Sequence, residues 1–312
     1  LLAKGDYLMG GPTHNSHGMY LVFPKESPFP NMPTAGPDRR FVAMPAYLGG
    51  RFNLCGQKWY GSNAENKKKG LPRSVLMVTL NDKDTGEPLC FMSANLLSAA
   101  RTGAVPGVGT RYLARKDAEV LTCIGCGPIG KGCMEAVITE MPNLKKVICN
   151  NHSPEKAVSM ANYITKTYGI EAVEEGDLET AVRAADVISV AASRTAPLHI
   201  KREWVKDGCT ILASGPLQCD ESLWMDMEIV YDHIGLHHAY VSEAIESGDK
   251  ENYYNGVIGG PIYRLIDAGK KPALDDSLSI GKIILGEQKG RTDDKQIFCF
   301  IACGMSVFDL GL

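Results

Sequence analysis

No run of apolar residues in this sequence approaches the ~20 that a helix needs to cross a bilayer, and nothing near Leu1 resembles a secretory signal peptide. A membrane partner is therefore not expected, and the chain reads as cytoplasmic. An excess of one charge is missing too. The 33 Lys and Arg nearly balance the 36 Asp and Glu, leaving a formal net charge of −3, which argues against nucleic acid or an anionic surface as the main partner. Nor is there a small, loop-rich scaffold that disulfides would have to hold. The 10 cysteines are spread through expected strands and helices, as with Cys123, Cys149 and Cys209, so reduced and buried thiols are expected. Cys123 and Cys126 have C-x-x-C spacing, but Cys123 falls inside an expected strand and no second pair lies nearby, so no metal site is assigned. With 312 residues the chain is long enough for two domains, each with its own core. It begins at Leu1 and stops at Leu312 as a helical pattern starts, so terminal helices are expected beyond both ends.

The most informative segment is 118–132, which reads as a buried strand, a glycine-rich turn and the start of a helix. Gly125 permits a tight turn, Gly127 removes a Cβ that would hold phosphates away, and Gly130 lets the helix pack against the strand. The helix N-terminus, from Pro128 and Ile129 onward, offers N–H groups and a positive dipole end to a pyrophosphate. A nicotinamide or flavin dinucleotide is the expected ligand. The frame supports it: a strand at 145–150, a helix at 154–168 with Ala157, Ala161, Ile164 and Tyr168 at helical spacing, a helix at 178–185, and strands at 186–190, 210–212 and 228–231. Alternating strands and helices imply an α/β fold, a Rossmann doubly wound parallel sheet.

The end of the second strand in such a unit meets the adenosine ribose, where a carboxylate selects NAD over NADP. Here it is followed by Asn151, His152 and Ser153, with no acid. All three can donate to a 2′-phosphate, which favours NADP, while the absence of an arginine leaves NAD open. Ser153 before Pro154 is also a good helix cap, so the segment has an ordinary structural reading as well.

Upstream, 76–80 and 88–92 read as strands joined by a turn at 81–86, a β-rich region. Residues 96–104 follow, small side chains around Arg101, whose planar fork suits a carboxylate. Near the N-terminus, His14 and His17 lie three residues apart in a polar loop; contact with a substrate head group and an ordinary loop are both open readings.

The chain resembles the ornithine cyclodeaminase and μ-crystallin family along nearly its whole length. The likeness is carried in order by Met44-Pro45-Ala46-Tyr47, Gly56-Gln57-Lys58, Gly70-Leu71-Pro72, Ala100-Arg101-Thr102-Gly103-Ala104, Tyr112-Leu113-Ala114-Arg115 and the glycine segment. It continues through Ala185-Asp186-Val187-Ile188, Glu246-Ser247-Gly248-Asp249, Gly269-Lys270-Lys271-Pro272 and Gly304-Met305-Ser306-Val307-Phe308-Asp309. The resemblance implies an NAD(P)-binding Rossmann domain, expected at 106–284, and an α+β substrate-binding and dimerisation domain built from both chain ends, 1–105 and 285–312. A homodimer is implied. So is a substrate whose carboxylate is held by Arg101, with Lys58 positioning it or moving a proton, Tyr47 in the pocket wall, and Thr195 and Met305 added to the cofactor contacts. Read without the resemblance, Lys58 is a surface lysine and Arg101 a helix-capping one.

Two departures matter. Cyclodeaminases of the family have an aspartate shortly after the fifth strand of the nucleotide domain; this chain has Pro216-Leu217 there and Asp220 a few residues late, either a displaced catalytic acid or an N-cap. A further N-terminal arginine of the family is replaced by the segment holding His14 and His17. The expectation is hydride transfer at the nitrogen-bearing carbon of a small amino or imino acid, with NADP or NAD. A cyclodeaminase that releases ammonia and a cofactor-bound binding protein are the alternatives.

Overall fold

The computed structural model describes residues 2–15, 17–192 and 198–312. Two compact units result, Leu1–Ser98 with Met305–Leu312, and Ala99–Gly304.

The second unit is built on an eight-stranded parallel sheet flanked by helices, with a separate parallel pair of short strands, Leu198–Ile200 and Leu217–Cys219. Its eight strands run in the order Leu278–Ser279, Met227–Tyr231, Ile297–Ile301, Thr210–Ala213, Val187–Val190, Val120–Ile124, Lys146–Asn150 and Glu171–Glu174, all neighbours parallel. Such sheets are covered on both faces, and Val187–Val190, Thr210–Ala213 and Ile297–Ile301 are accordingly buried at every position. From Val120–Ile124 the chain steps outward to Lys146–Asn150 and Glu171–Glu174, then returns to pair Val187–Val190 on the other side. The direction of winding thus reverses between Val120–Ile124 and Val187–Val190, and the crevice beyond the carboxyl ends of those strands is where open α/β sheets bind ligands. The doubly wound fold is as expected.

Local chemistry sets the helix ends. Pro154 opens helix Pro154–Tyr168 and Gly169, at φ 67, closes it. Asp177 caps helix Leu178–Ala184 by accepting from the Thr180 amide at 2.8 Å. Helix Asn95–Leu113 contains the boundary between the units; its second-unit part packs on helix Pro128–Thr139 with almost nothing in between. A Cβ on Gly103 would collide with the Gly132 backbone, and one on Gly132 would lie 2.6 Å from the Ala99 carbonyl oxygen.

The first unit is an antiparallel sheet ordered Tyr7–Met9, Arg40–Leu48, Leu54–Ser62, Ser74–Asp82 and Pro88–Ser93, with Met19–Val22 pairing a different stretch of Arg40–Leu48. The expected hairpin is present, its turn held by Asp82 Oδ1, which accepts from the amides of Asp84 and Thr85. Short helix Ser306–Leu310 lies on one face, Leu310 reaching Gly56.

The expected boundaries need correction. Residues 285–304 do not join the first unit, because Ile297–Ile301 is inserted between Met227–Tyr231 and Thr210–Ala213 in the parallel sheet. Residues 99–105 belong to the second unit as well. The edge strand Glu171–Glu174, which the sequence pattern did not reveal, extends the sheet. Among the described residues no helix is long and apolar enough to cross a membrane.

Candidate active site

The glycine loop fits a dinucleotide by its own geometry. Gly125 has φ 103, and a Cβ there would press to 2.7–2.8 Å on the backbone of Ala191 and Ala192. A Cβ on Gly130 would collide with the Gly125 carbonyl oxygen, so only glycine lets helix Pro128–Thr139 start this close to the strand. Around Gly127, by contrast, a Cβ would meet nothing within 4 Å, which leaves room for a pyrophosphate. Gly127 is the N-cap, Pro128 stands in the first turn ahead of Ile129, and no side chain caps the helix. Its leading amides are thus placed for an anion.

Asn151, His152 and Ser153 follow strand Lys146–Asn150. Asn151 Oδ1 accepts from the Cys126 amide at 3.1 Å and its Nδ2 donates to the Ser153 carbonyl at 3.1 Å, so this side chain ties the second strand to the glycine loop. His152 is exposed and Ser153 is the helix cap residue.

Arg101 is carried on the helix that touches Gly132, and is only 7% exposed. Its Nη1 lies against Gly304, a residue at φ 79 whose own Cβ would run into that nitrogen. Glycine is required there twice, for backbone conformation and for space.

Lys58, in the first unit, is also buried. Its Nζ lies 3.1 Å and 3.3 Å from the two carboxylate oxygens of Asp309 and 3.4 Å from Ser98 Oγ. The side chains of the pair are 5% and 0% exposed. A charge pair this far out of water is sustained by its own mutual geometry.

Comparison with known proteins shows the family. The model of the ornithine cyclodeaminase/mu-crystallin family matches residues 1–312. The chain belongs to that family. It is 31% identical over 281 residues to a Delta(1)-pyrroline-2-carboxylate reductase of Bacillus cereus, covering 90% of this chain and 81% of the relative. Its fold is similar to that of the Thermococcus litoralis Delta(1)-pyrroline-2-carboxylate reductase in complex with NADH and L-proline, with TM-score 0.77 and 25% identity over 99% of this chain and 85% of that one. An archaeal alanine dehydrogenase dimer with bound NAD gives TM-score 0.75 at 26% identity over 99% and 84%.

The remaining candidate residues are each placed within their own unit. Tyr47 does not share the face of Lys58. Lys58 stands opposite Met44 and Val78 on the buried face, whereas Tyr47 stands opposite Cys55 on the other, its hydroxyl 3.3 Å from Asn53 Oδ1. Tyr47, expected in the pocket wall beside the His14–His17 loop, thus lies on the sheet face opposite Lys58. His14 is exposed in a turn at φ 58. His17 is half-buried and stacks on Tyr20, and the neighbouring Gly18 packs on Val42 and Met44, side chains of the Lys58 face. Asp220 opens helix Glu221–Asp226 at its N-cap, but its side chain turns away to bond His199 Nε2 at 2.7 Å and the Arg202 amide at 3.3 Å. The His199 bond holds its carboxyl below the usual range. Met305 is buried at the N-cap of helix Ser306–Leu310. Thr195 lies outside the described residues.

Two partners escaped the sequence reading. Asp309 closes the motif quoted for the family, yet nothing local ties it to Lys58, 251 residues away; Ser98 is likewise 40 residues distant. Lys58→Met removes the ammonium that faces the buried Asp309 carboxylate and is expected to cost about 3–5 kcal/mol of stability. Adding Asp309→Leu should restore most of it. Chemical denaturation of both variants measures this, and a Lys58→Met protein as stable as the parent would show the pair to be unimportant.

Proposed function

We propose that this chain is an NAD(P)-dependent reductase or dehydrogenase that transfers hydride at the nitrogen-bearing carbon of a small amino or imino acid. The observation that carries the choice over cyclisation is the segment after strand Thr210–Ala213. In place of an acid there, Leu217 is buried in a strand pairing Leu198–Ile200, and Asp220 is committed to His199 and Arg202. The reductase and dehydrogenase named among the relatives support the same direction.

In this reading the bound nicotinamide supplies hydride exchange with the carbon that bears nitrogen. Gly125, Gly127, Gly130 and the amides that follow Pro128 hold the pyrophosphate. Because Asn151 is already used within the loop, His152 and Ser153 are left to meet the ribose side, and the dinucleotide is NADP or NAD. Arg101 binds the substrate carboxylate through its guanidinium fork. Lys58, an ammonium braced by Asp309 and Ser98, holds the proton that the nitrogen takes up when the imine becomes an amine. The ten free cysteines fit a reducing compartment, the cytoplasm.

The outward face of the first unit supports a homodimer. Met19, Leu21, Phe41, Val75 and Phe91 are all exposed, Met19 at 77% and Phe91 at 70%, and strand register puts them on the side opposite Lys58. An apolar sheet face of this kind marks an association surface, and the archaeal alanine dehydrogenase is a dimer. Sedimentation should give twice the monomer mass, and Phe91→Lys with Leu21→Lys should shift the protein to monomer; a monomeric parent would refute the dimer.

The reaction is tested by supplying NADH or NADPH with cyclic imino acids such as Delta(1)-pyrroline-2-carboxylate and with keto acid plus amine pairs, then ornithine and lysine with ammonia detection. Cofactor consumption is expected. Ammonia without net redox would make the protein a cyclodeaminase, and tight cofactor binding with neither reaction would make it a binding protein. Arg101→Ala should raise KM by on the order of 100-fold, as loss of a charged hydrogen-bonded contact does; an unchanged KM would refute its role.

A further inference from the structure

Past the end of strand Met227–Tyr231, Asp232 is buried in the second unit with both carboxylate oxygens bonded. Oδ1 accepts from the His233 amide at 2.9 Å and faces His237 Nε2 at 3.0 Å. Oδ2 accepts from the Gly304 amide at 2.7 Å. On the far side of the imidazole, His237 Nδ1 lies 2.5 Å from the Tyr263 hydroxyl. Burial holds the Tyr263 phenol well above its ordinary value, so it remains an O–H donor. It therefore gives its hydrogen to Nδ1, which leaves Nε2 carrying the hydrogen that points at Asp232. The rings of Tyr231 and Tyr254 pack edge-on against His237 and Tyr263, at 4.4 Å and 5.3 Å between centroids.

The sulfur of Cys303 lies within 4.8 Å of the Asp232 and His237 ligand atoms, so the composition is that of a cation site. The hydrogen bonding is not. Both nitrogens of His237 are already used by Tyr263 and Asp232, and a cation would have to displace one of those bonds to be held by the imidazole. What the cluster does reach is Gly304, the residue against which the Arg101 guanidinium is packed. The line from Tyr263 through His237 and Asp232 to the Gly304 amide ends where the carboxylate-binding side chain is seated.

We propose that Tyr263, His237 and Asp232 are positioning residues that fix the Gly304 backbone and through it hold Arg101 in register for the substrate carboxylate. The proposal rests on Arg101 being the carboxylate ligand. A rigid seat matters because a bidentate contact is lost when the fork is displaced by about 1 Å.

A double-mutant cycle tests it, with Tyr263→Phe, Arg101→Lys and the double variant assayed on Delta(1)-pyrroline-2-carboxylate with NADH. Tyr263→Phe keeps the ring and removes only the hydroxyl. It should raise KM by on the order of 5–10-fold while kcat and the NADH Kd stay within about two-fold, and it should add nothing further in the Arg101→Lys background. Asp232→Asn, which preserves shape, should behave alike and stands in if Tyr263→Phe fails to fold. A KM unchanged by both relay variants, while Arg101→Lys raises it, overturns the relay and leaves the Arg101 reading intact. An equal rise in both backgrounds overturns the relay too, because a merely structural defect would not depend on Arg101. If Arg101→Lys alone leaves KM unchanged, the carboxylate reading falls and the relay proposal with it.

Discussion

Where Gly103 meets Gly132, no side chain stands between helix Asn95–Leu113 and helix Pro128–Thr139. One of these helices begins at the glycine loop and the other carries Arg101, so a contact made of backbone alone sets the spacing between the helix end at that loop and a buried cation. Side chains can rotate out of a poor fit; packed backbones cannot, and a methyl group inserted there would force the helices apart. The same economy recurs at Gly125 against Ala191 and Ala192, and at Gly304 against Arg101. At these positions glycine marks places where two pieces of main chain, or main chain and a guanidinium, must come closer than any other residue allows.

Buried charge follows a second rule in both units. Lys58 is paired with Asp309 in one, and Asp232 is surrounded by hydrogen-bond donors in the other. Isolated, either charge would cost several kcal/mol to bury. Their survival in the interior reflects networks whose members come from distant parts of the sequence, and that is where a polar group becomes available for chemistry without unfolding its surroundings.

What could be read from the sequence was local. The glycine loop, its strand and its helix are contiguous, and the physical demand for glycine at 125 and 130 is written in the spacing. The hairpin at residues 81–86 was legible for the same reason. Strand Ile297–Ile301 was not, since an apolar run of five residues states that it is buried but not between which strands, and its neighbours are Thr210–Ala213 and Met227–Tyr231. Asp309 carries no sign that it belongs to Lys58. The face of Tyr47 was not legible because strand alternation assigns faces only once register is known: Met44 opposite Lys58 puts Tyr47 on the other side. Asp220 shows the reverse case, a residue flagged as either acid or cap that sits at the cap position yet spends its carboxylate on His199 and the Arg202 amide.

The family contains chemistry that consumes its cofactor and, by the family name, chemistry that cyclises ornithine, and the two share a fold. The distinction lies in whether hydride ends on the product. The direct measurement is isotopic: protein incubated with reduced nicotinamide cofactor deuterated at the transferable position and with Delta(1)-pyrroline-2-carboxylate, followed by mass spectrometry of the amino acid formed. The account predicts one deuterium at the carbon that bore the imine, stoichiometric with cofactor oxidised. Product without deuterium, or ammonia released from ornithine with the cofactor pool unchanged, would contradict it.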